Sequence, residues 1–120
     1  MSPDQLRAFC LSFNAAEEDF PFNPDISVFK VLGKMFALSW IDAEPLKVNL
    51  KCDPDDAVRL RTDHEGLITP GYHMNKRHWN TVTVNEGLSD ALVLDMVEDS
   101  YDLVVDGLPR SRRPKRQNAG

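Results

Sequence analysis

Apolar side chains recur at helical spacing in three parts of this chain. A residue that can cap a helix stands before each part, and in the first two a proline follows at the first helical position. The third part ends at Gly107, a residue type that commonly terminates helices. The predicted helices cover about residues 3–15 with Ser2 as the cap, begin at Asp53-Pro54, and begin at Ser89 or Asn85.

Three extended segments follow the first predicted helix. Residues 46–52 alternate strictly between apolar and polar side chains, which is the pattern of a strand with one face in water. Two β-prone runs, residues 26–32 and 35–40, flank the pair Gly33-Lys34 and predict a hairpin. The three strands should therefore form an antiparallel meander.

Two more extended segments lie between the second and third predicted helices. Residues 67–72 form a short one, and residues 78–84 predict a strand with Trp79 on one face and Asn80 on the other.

Length and cysteine content are those of a single intracellular domain. The 120 residues are enough for a core that needs no metal or disulfide. Cys10 and Cys52 lie 42 positions apart and predict buried thiols in a reducing compartment. No apolar run is long enough to span a membrane, and the first residues lack the features of a signal peptide. We therefore expect a cytoplasmic protein with no membrane contact.

The net charge of −5 is unevenly distributed along the chain. Residues 1–109 hold all 19 acids and 9 of the 14 Lys and Arg residues, for a net −10, and residues 110–120 hold the other five cations. This predicts one folded domain over residues 1–109 and a disordered basic tail over residues 110–120. An acidic body disfavours non-specific nucleic-acid binding, so any such contact should be local.

One window of the acidic body, residues 66–85, contains no acidic side chain. It includes the donor-rich run Pro70-Gly71-Tyr72-His73-Met74-Asn75-Lys76-Arg77-His78-Trp79-Asn80. Phosphate oxygens accept hydrogen bonds from such side chains, and the run therefore predicts an anion-binding surface on which Tyr72 or Trp79 stacks a base. The alternative is a turn leading into a strand, with Trp79 in the core and Lys76 and Arg77 in solvent.

Other kinds of site have little support in the sequence. His73 and His78 are five positions apart, a spacing that does not place two imidazoles on one helix face. No cysteine or acid lies between them to complete a metal site. Cys52 precedes an acidic helix start, where carboxylates raise the pKa of a thiol and oppose nucleophilic catalysis. Gly33 and Gly66 are isolated, so no phosphate-binding loop is present. We expect no enzyme activity, no metal and no cofactor.

Several blocks of sequence resemble the MmcQ/YjbR family over about residues 5 to 110. The most specific is Gly71-Tyr72-His73-Met74-Asn75-Lys76 followed by His78-Trp79-Asn80. The others are residues 28–31 with 33–37, residues 50–54, residues 100–105 and the pair Leu108-Pro109. The resemblance implies a compact α+β domain in which helices pack on a mostly antiparallel sheet, similar to the frataxin-like (CyaY-like) and "double wing" shapes. It also implies a DNA-binding role that rests on that similarity of shape.

Two functional hypotheses follow. In the first, the protein is a monomeric DNA-binding module in which residues 71–80 meet the nucleic acid. In the second, it binds a protein or a small molecule and has no nucleic-acid role. Its recognition surface would then be formed by acidic helix faces, which include Asp95, Asp99 and Asp102, together with the Gly71–Asn80 loop. For the first hypothesis the expected phosphate contacts are Lys34, Lys76 and Arg77, and the expected hydrogen-bonding or stacking residues are Tyr72, His73, Asn75 and His78.

Overall fold

The computed structural model describes residues 1–114, which form one six-stranded sheet with three α-helices. The elements are α1 (Pro3–Leu11), β1 (Ala16–Asp19), β2 (Ile26–Val31), β3 (Lys34–Trp40), β4 (Leu46–Lys51), α2 (Pro54–Asp63), β5 (Ile68–Pro70), β6 (Trp79–Val84) and α3 (Asp90–Asp106). The strands lie in the order β1-β2-β3-β4-β6-β5, and every neighbouring pair is antiparallel. The predicted α+β fold with a mostly antiparallel sheet is confirmed.

Helix α1 begins where the sequence predicts and ends earlier. The Ser2 hydroxyl accepts a hydrogen bond from the Gln5 backbone N–H at 3.1 Å, and the Gln5 side chain accepts one from the Ser2 backbone N–H at 2.8 Å. The predicted extension to about residue 15 is wrong, because the helix ends at Leu11 and Ala15 has a left-handed φ of 61°. Phe13 matches the helical spacing but reaches the core from the turn that follows the helix.

Strand β1 is absent from the sequence prediction. Its residues Ala16-Glu17-Glu18-Asp19 include three acids, a residue type that is depleted in strands. The segment is extended because it pairs with β2, and the Glu18 carboxylate accepts hydrogen bonds from Arg7 Nε at 2.7 Å and Ser27 Oγ at 2.8 Å. Tertiary contacts therefore form this strand, and local preference does not.

The predicted meander of β2, β3 and β4 is confirmed, with its first turn shifted by one residue. Leu32 and Gly33 are the two central residues of the hairpin turn, with φ values of 48° and 82°. Positive φ at both positions is typical of type I′ turns, whose twist matches that of the flanking strands. Lys34, which the sequence places in the turn, is the first residue of β3.

The predicted caps of α2 and α3 are also present. Asp53 accepts a hydrogen bond from the Asp55 backbone N–H at 3.0 Å, and Ser89 accepts one from the Leu92 backbone N–H at 3.1 Å. Ser89, and not Asn85, is therefore the N-terminal cap of α3, and Gly107 caps its C-terminal end as predicted.

All three helices pack on one face of the sheet, where the main hydrophobic core lies. In α3, Tyr101 stacks on Phe13 with ring centroids 4.6 Å apart and meets Phe36 edge-on at 5.4 Å. The buried Ser100 hydroxyl donates to the Phe36 carbonyl at 2.6 Å and accepts from the Lys51 backbone N–H at 2.8 Å. These bonds attach α3 to the ends of β3 and β4.

The start of the basic tail is ordered against the end of α3. Arg110–Arg112 form one turn of 3-10 helix, and Arg113 donates to the carbonyls of Leu108 at 2.9 Å and Asp106 at 2.8 Å. The expectation of disorder from residue 110 onward is thus wrong for these first tail residues. The rest of that expectation, over residues 115–120, lies outside the described residues.

Candidate functional site

The second face of the sheet, the open face, carries none of the three helices. Residues opposite each other in an antiparallel pair share a face, and Leu38, Asn49 and Thr81 lie in one such row across β3, β4 and β6. Asn49 and Thr81 are nevertheless buried. Residues 71–78, which join β5 to β6, cover them, so the donor-rich segment lies over this face.

A chain of buried hydrogen bonds attaches the segment to the sheet. Asn49 Nδ2 donates to the Tyr72 carbonyl at 3.0 Å, and the Tyr72 backbone N–H donates to Thr81 Oγ1 at 2.9 Å. The Thr81 hydroxyl in turn donates to Asn49 Oδ1 at 2.6 Å. Because both polar groups of the Tyr72 backbone are bonded to the sheet, the position of Tyr72 is fixed while its ring stays in solvent.

Trp79 packs beneath the segment. Trp79 is only 9% exposed, and the Gly71 backbone N–H donates to its carbonyl at 2.8 Å. A Cβ atom on Gly71 would lie 2.7 Å from the Trp79 Cβ, so only glycine fits here without a shift of the chain. Of the two rings considered for base stacking, Trp79 is therefore a buried anchor and Tyr72 is the accessible one.

Hydrogen bonds within the segment shape its outer part. Asn75 Oδ1 accepts from the Arg77 backbone N–H at 3.0 Å, and the Asn75 carbonyl accepts from the His78 N–H at 3.1 Å. Lys76 Nζ donates to the Gly71 carbonyl at 3.3 Å. His73 adopts a left-handed φ of 60°, which turns the chain at the tip.

Most of the predicted site residues point to solvent. Tyr72, His73, Asn75, Lys76 and Arg77 are exposed, and Tyr72 is 58% exposed. His78 is half-buried at the start of β6 and Lys34 is exposed at the start of β3. The strand register places Lys34 at the same end of the sheet as the segment, two strands away from it.

Two residues that sequence reasoning did not select complete the site. The Trp40 ring meets the Tyr72 ring edge-on, with centroids 6.2 Å apart, beside a shallow pocket of about 340 Å³ that Lys47 and Thr69 also line. Trp40 and Lys47 are direct cross-strand partners on the open face. Their alternation within each strand is visible in the sequence, but which residue of β3 meets which residue of β4 is not.

The sheet separates the charges of the molecule. On the open face, the five strands other than β1 present Lys30, Lys47 and Lys51 and no acidic side chain. The acids that strands contribute to this face, Glu17 and Asp19, lie on the edge strand β1. The opposite layer contains the acidic helices α2 and α3. The local charge at the 71–78 segment is thus positive on a protein whose net charge is negative.

The two thiols are poorly suited to nucleophilic chemistry. Burial raises the pKa of the Cys10 thiol to about 12, with a smaller contribution from Glu18. The pKa of Cys52 is raised to about 11, first by burial and then by the carboxylates of Asp56 and Asp53. Within residues 1–114, no group of three or more His, Cys, Asp or Glu side chains is arranged to hold a metal ion.

Comparison with known proteins places this fold and site in a family. A family model described as YjbR matches residues 11–103. The chain is 45% identical to "Uncharacterized protein YbdF" of Escherichia coli O157:H7, over 98% of this chain and 94% of that protein. It is 31% identical to "Uncharacterized protein YjbR" of Escherichia coli K12, over 94% of this chain and 95% of that protein. The chain therefore belongs to the YjbR family.

Solved structures agree with this assignment. The crystal structure of Deinococcus radiodurans protein DR2400, which has a DUF419 domain, superposes with a TM-score of 0.88 at 39% identity, over 93% of this chain and 85% of that one. A Pseudomonas syringae protein superposes with a TM-score of 0.72 at 29% identity, over 86% of this chain and 98% of that one. No helix in the described part of the chain is long and apolar enough to cross a bilayer.

Proposed function

We propose that this YjbR-family protein is a non-enzymatic, cytosolic DNA-binding module that takes an unpaired strand on the open face and on residues 71–80. The observation that supports the proposal best is the pairing of Trp40 with the exposed Tyr72 beside Lys47, on a part of the open face where the strands present no acid. Stacking of a base on an aromatic ring contributes about 1–3 kcal/mol, and every base has a face that can stack.

The shape of the site favours an unpaired strand over a duplex. Reading the duplex major groove requires a helix or a two-stranded ribbon that projects into it. The site here is a sheet face on which one aromatic ring stands beside a shallow pocket. Bases reach such a surface only when they are not paired with a partner strand and can turn away from their stacked neighbours. The pocket next to Tyr72 is where we place the first base.

Each exposed residue has a role in this proposal. Tyr72 stacks the base, Trp40 supports its ring, and Thr69 lines the pocket beside them. Cations neutralise backbone phosphates, and neutral donors bond their oxygens. The phosphate contacts are Lys47, Lys76 and Arg77, and the neutral donors are His73, Asn75 and His78. Lys34 is the cross-strand partner of the core residue Val31, so it lies toward the helical face and away from this surface.

Fluorescence anisotropy with a labelled oligothymidine, titrated against salt, tests the proposal. Three neutralised phosphates give a slope of about −2 in log affinity against log salt concentration. Tyr72→Ala removes an exposed ring and is expected to weaken binding about ten-fold. Lys76→Gln is expected to reduce the slope by about 0.7.

Two control variants separate this site from general electrostatic attraction. Arg59→Gln removes an exposed cation on α2, on the helical side, and should leave the affinity unchanged. Lys115→Gln with Arg116→Gln removes two charges from the basic tail. Binding that disappears in the tail variant but survives Tyr72→Ala and Lys76→Gln would show that the open face is not the interface.

A further inference from the structure

A second cavity, the α2–α3 groove, lies on the helical side of the sheet. It has a volume of about 550 Å³ and opens between α2 and α3. Its floor is largely apolar, with Leu50 and Val82 from the sheet and Met96 from α3. Carboxylates dominate its rim, and those that line it are Asp53, Asp56, Asp95, Asp99, Asp102 and Asp106. Lys51 and Arg59 also line the groove, and Arg59 forms an ion pair with Asp56 at 3.1 Å, which leaves Asp95 and Asp99 as the carboxylates that carry the argument.

The floor contains a buried acceptor that lacks a donor. Asn80 lines the groove and is 2% exposed, and its Oδ1 has no hydrogen-bond partner among residues 1–114. Its Nδ2 donates to the Ala57 carbonyl at 3.4 Å, and in this orientation of the amide the oxygen has no donor. An unpaired buried acceptor is unfavourable, and a ligand that brings an N–H group to the floor removes that penalty.

The arrangement of the carboxylates indicates an elongated cation. Within the described residues no three acids converge closely enough to hold a metal ion. Instead, Asp95 and Asp99 lie one helical turn apart along α3, a separation of about 6 Å at 1.5 Å per residue. Asp56 lines the same groove from α2. Charges spaced in this way match a ligand that carries several positive charges along its length.

Like charges in the groove repel each other when it is empty. Burial raises the pKa of the Asp99 carboxyl, and the neighbouring carboxylates of Asp102, Asp95, Glu98 and Asp56 raise it further. Asp56 and Asp99 also contribute to the raised pKa of Cys52. A bound cation relieves this repulsion, so the groove is better suited to a cation than to a neutral ligand.

We propose that the α2–α3 groove binds a linear aliphatic polyamine, in which protonated nitrogens are joined by three or four methylene groups. Two nitrogens pair with Asp95 and Asp99, whose separation is comparable to a four-carbon spacer. The methylene groups pack on Leu50, Val82 and Met96, and one ammonium N–H donates to Asn80 Oδ1. This site is separate from the open face and independent of DNA binding.

Calorimetry of the full chain with spermidine at low ionic strength tests the inference. The expected result is saturable binding with one site per chain, in the order spermidine, then diaminobutane, then butylamine, because each lost nitrogen removes an ion pair. Asp95→Asn with Asp99→Asn is expected to weaken spermidine binding at least ten-fold. Asp42→Asn with Glu44→Gln removes the same charge from the exposed β3–β4 loop and is expected to have less than a two-fold effect.

Two further measurements examine the floor and the ligand class. The side-chain amide resonances of Asn80, assigned by comparison with Asn80→Leu, are expected to shift on addition of spermidine to the wild-type protein. Mg²⁺ at equal charge concentration is expected to displace little spermidine, since it cannot span the carboxylates. The same calorimetry with a lysine-rich peptide tests whether a basic protein segment, which carries the same ammonium groups, binds the groove instead of a polyamine.

Any of four results would overturn the inference. These are binding that does not saturate, equal loss in the two double variants, full displacement by Mg²⁺, and a lysine-rich peptide that binds more than ten-fold tighter than spermidine. The first three indicate general counter-ion attraction, and the fourth indicates a basic protein segment as the occupant. Tyr72→Ala should leave spermidine binding intact whatever its effect on DNA.

Discussion

Gly71 and Trp79 approach so closely that the backbone of one forms part of the packing surface of the other. The Gly71 N–H donates to the Trp79 carbonyl at 2.8 Å, and a Cβ on Gly71 would lie within 3 Å of both the Trp79 Cβ and that carbonyl oxygen. This contact fixes where residues 71–78 leave β5, and the position of Tyr72 depends on it.

Gly71→Ala is expected to destabilise the protein by about 1–3 kcal/mol, because the added methyl group overpacks against Trp79. Urea unfolding measures the change. Gly107→Ala is the matched control, since a Cβ there meets nothing closer than 3.4 Å. Equal stability of the two variants would contradict the close packing described here.

Trp79→Ala is expected to reduce the free energy of unfolding by about 3–5 kcal/mol, since it empties a buried site under the 71–78 segment. Thermal and urea unfolding followed by circular dichroism test this. Tyr72→Ala serves as the control, because its ring is exposed and its removal leaves no cavity. A stable Trp79→Ala protein would place the indole on the surface instead.

Asn49→Leu is expected to destabilise the protein by about 1–3 kcal/mol and to loosen the 71–78 segment. The substitution leaves the Tyr72 carbonyl without its donor and the Thr81 hydroxyl without its acceptor. Hydrogen exchange at the Tyr72 amide should speed up more than exchange in the core of α3. Thr69→Val, at an exposed open-face position, is the control. Unchanged exchange at Tyr72 would show that the buried bonds do not fix the segment.

Cys52 is half-exposed, but its reaction with an alkylating reagent is expected to be slower than that of an unperturbed thiol. With its pKa raised to about 11, it holds roughly one hundredth of the thiolate of an unperturbed cysteine at pH 8. Asp56→Asn removes one carboxylate that raises this pKa, so the rate with iodoacetamide should increase. Peptide mass spectrometry reports Cys52 separately from Cys10. A Cys52 rate equal to that of a free thiol would contradict the described surroundings.

Asp99→Asn is expected to stabilise the protein at pH 7. The folded-state pKa of Asp99 is raised above its usual 3.8, so the folded chain binds this proton more tightly than the unfolded chain does. Charged Asp99 therefore lowers stability above the folded-state pKa, and the difference between variant and wild type should vanish as the pH falls below 3.8. Melting temperatures across this range measure it, with Asp42→Asn as the control for loss of one charge. A variant less stable than wild type at pH 7 would contradict the sign.

Local features of the sequence predicted most of the elements, and contacts between distant residues account for what was missed. Ser2, Asp53 and Ser89 predict helix starts because a cap residue bonds to a backbone N–H only two or three positions later, which makes the signal local. Strand β1 was missed because its pairing with β2, and not its acidic sequence, makes it extended.

The same distinction applies to the site. The composition of residues 71–80 was sufficient to select Tyr72, Lys76 and Arg77. Trp40 and Lys47 depend on the register of β3 against β4, which one-strand alternation does not give. The alternation of residues in β6 could not predict whether Trp79 is buried, since either face of this strand can be buried once a loop folds across the sheet.

The two outermost strands have a consequence for association between copies. An unpaired strand is a template to which another chain can add, and proteins block it with charge, proline or short length. Here β1 is four residues with three carboxylates, and β5 is three residues ending in Pro70. Both borders of the sheet thus discourage the growth of fibrils by strand addition, which leaves the flat surface between them as the part of the sheet available to other molecules.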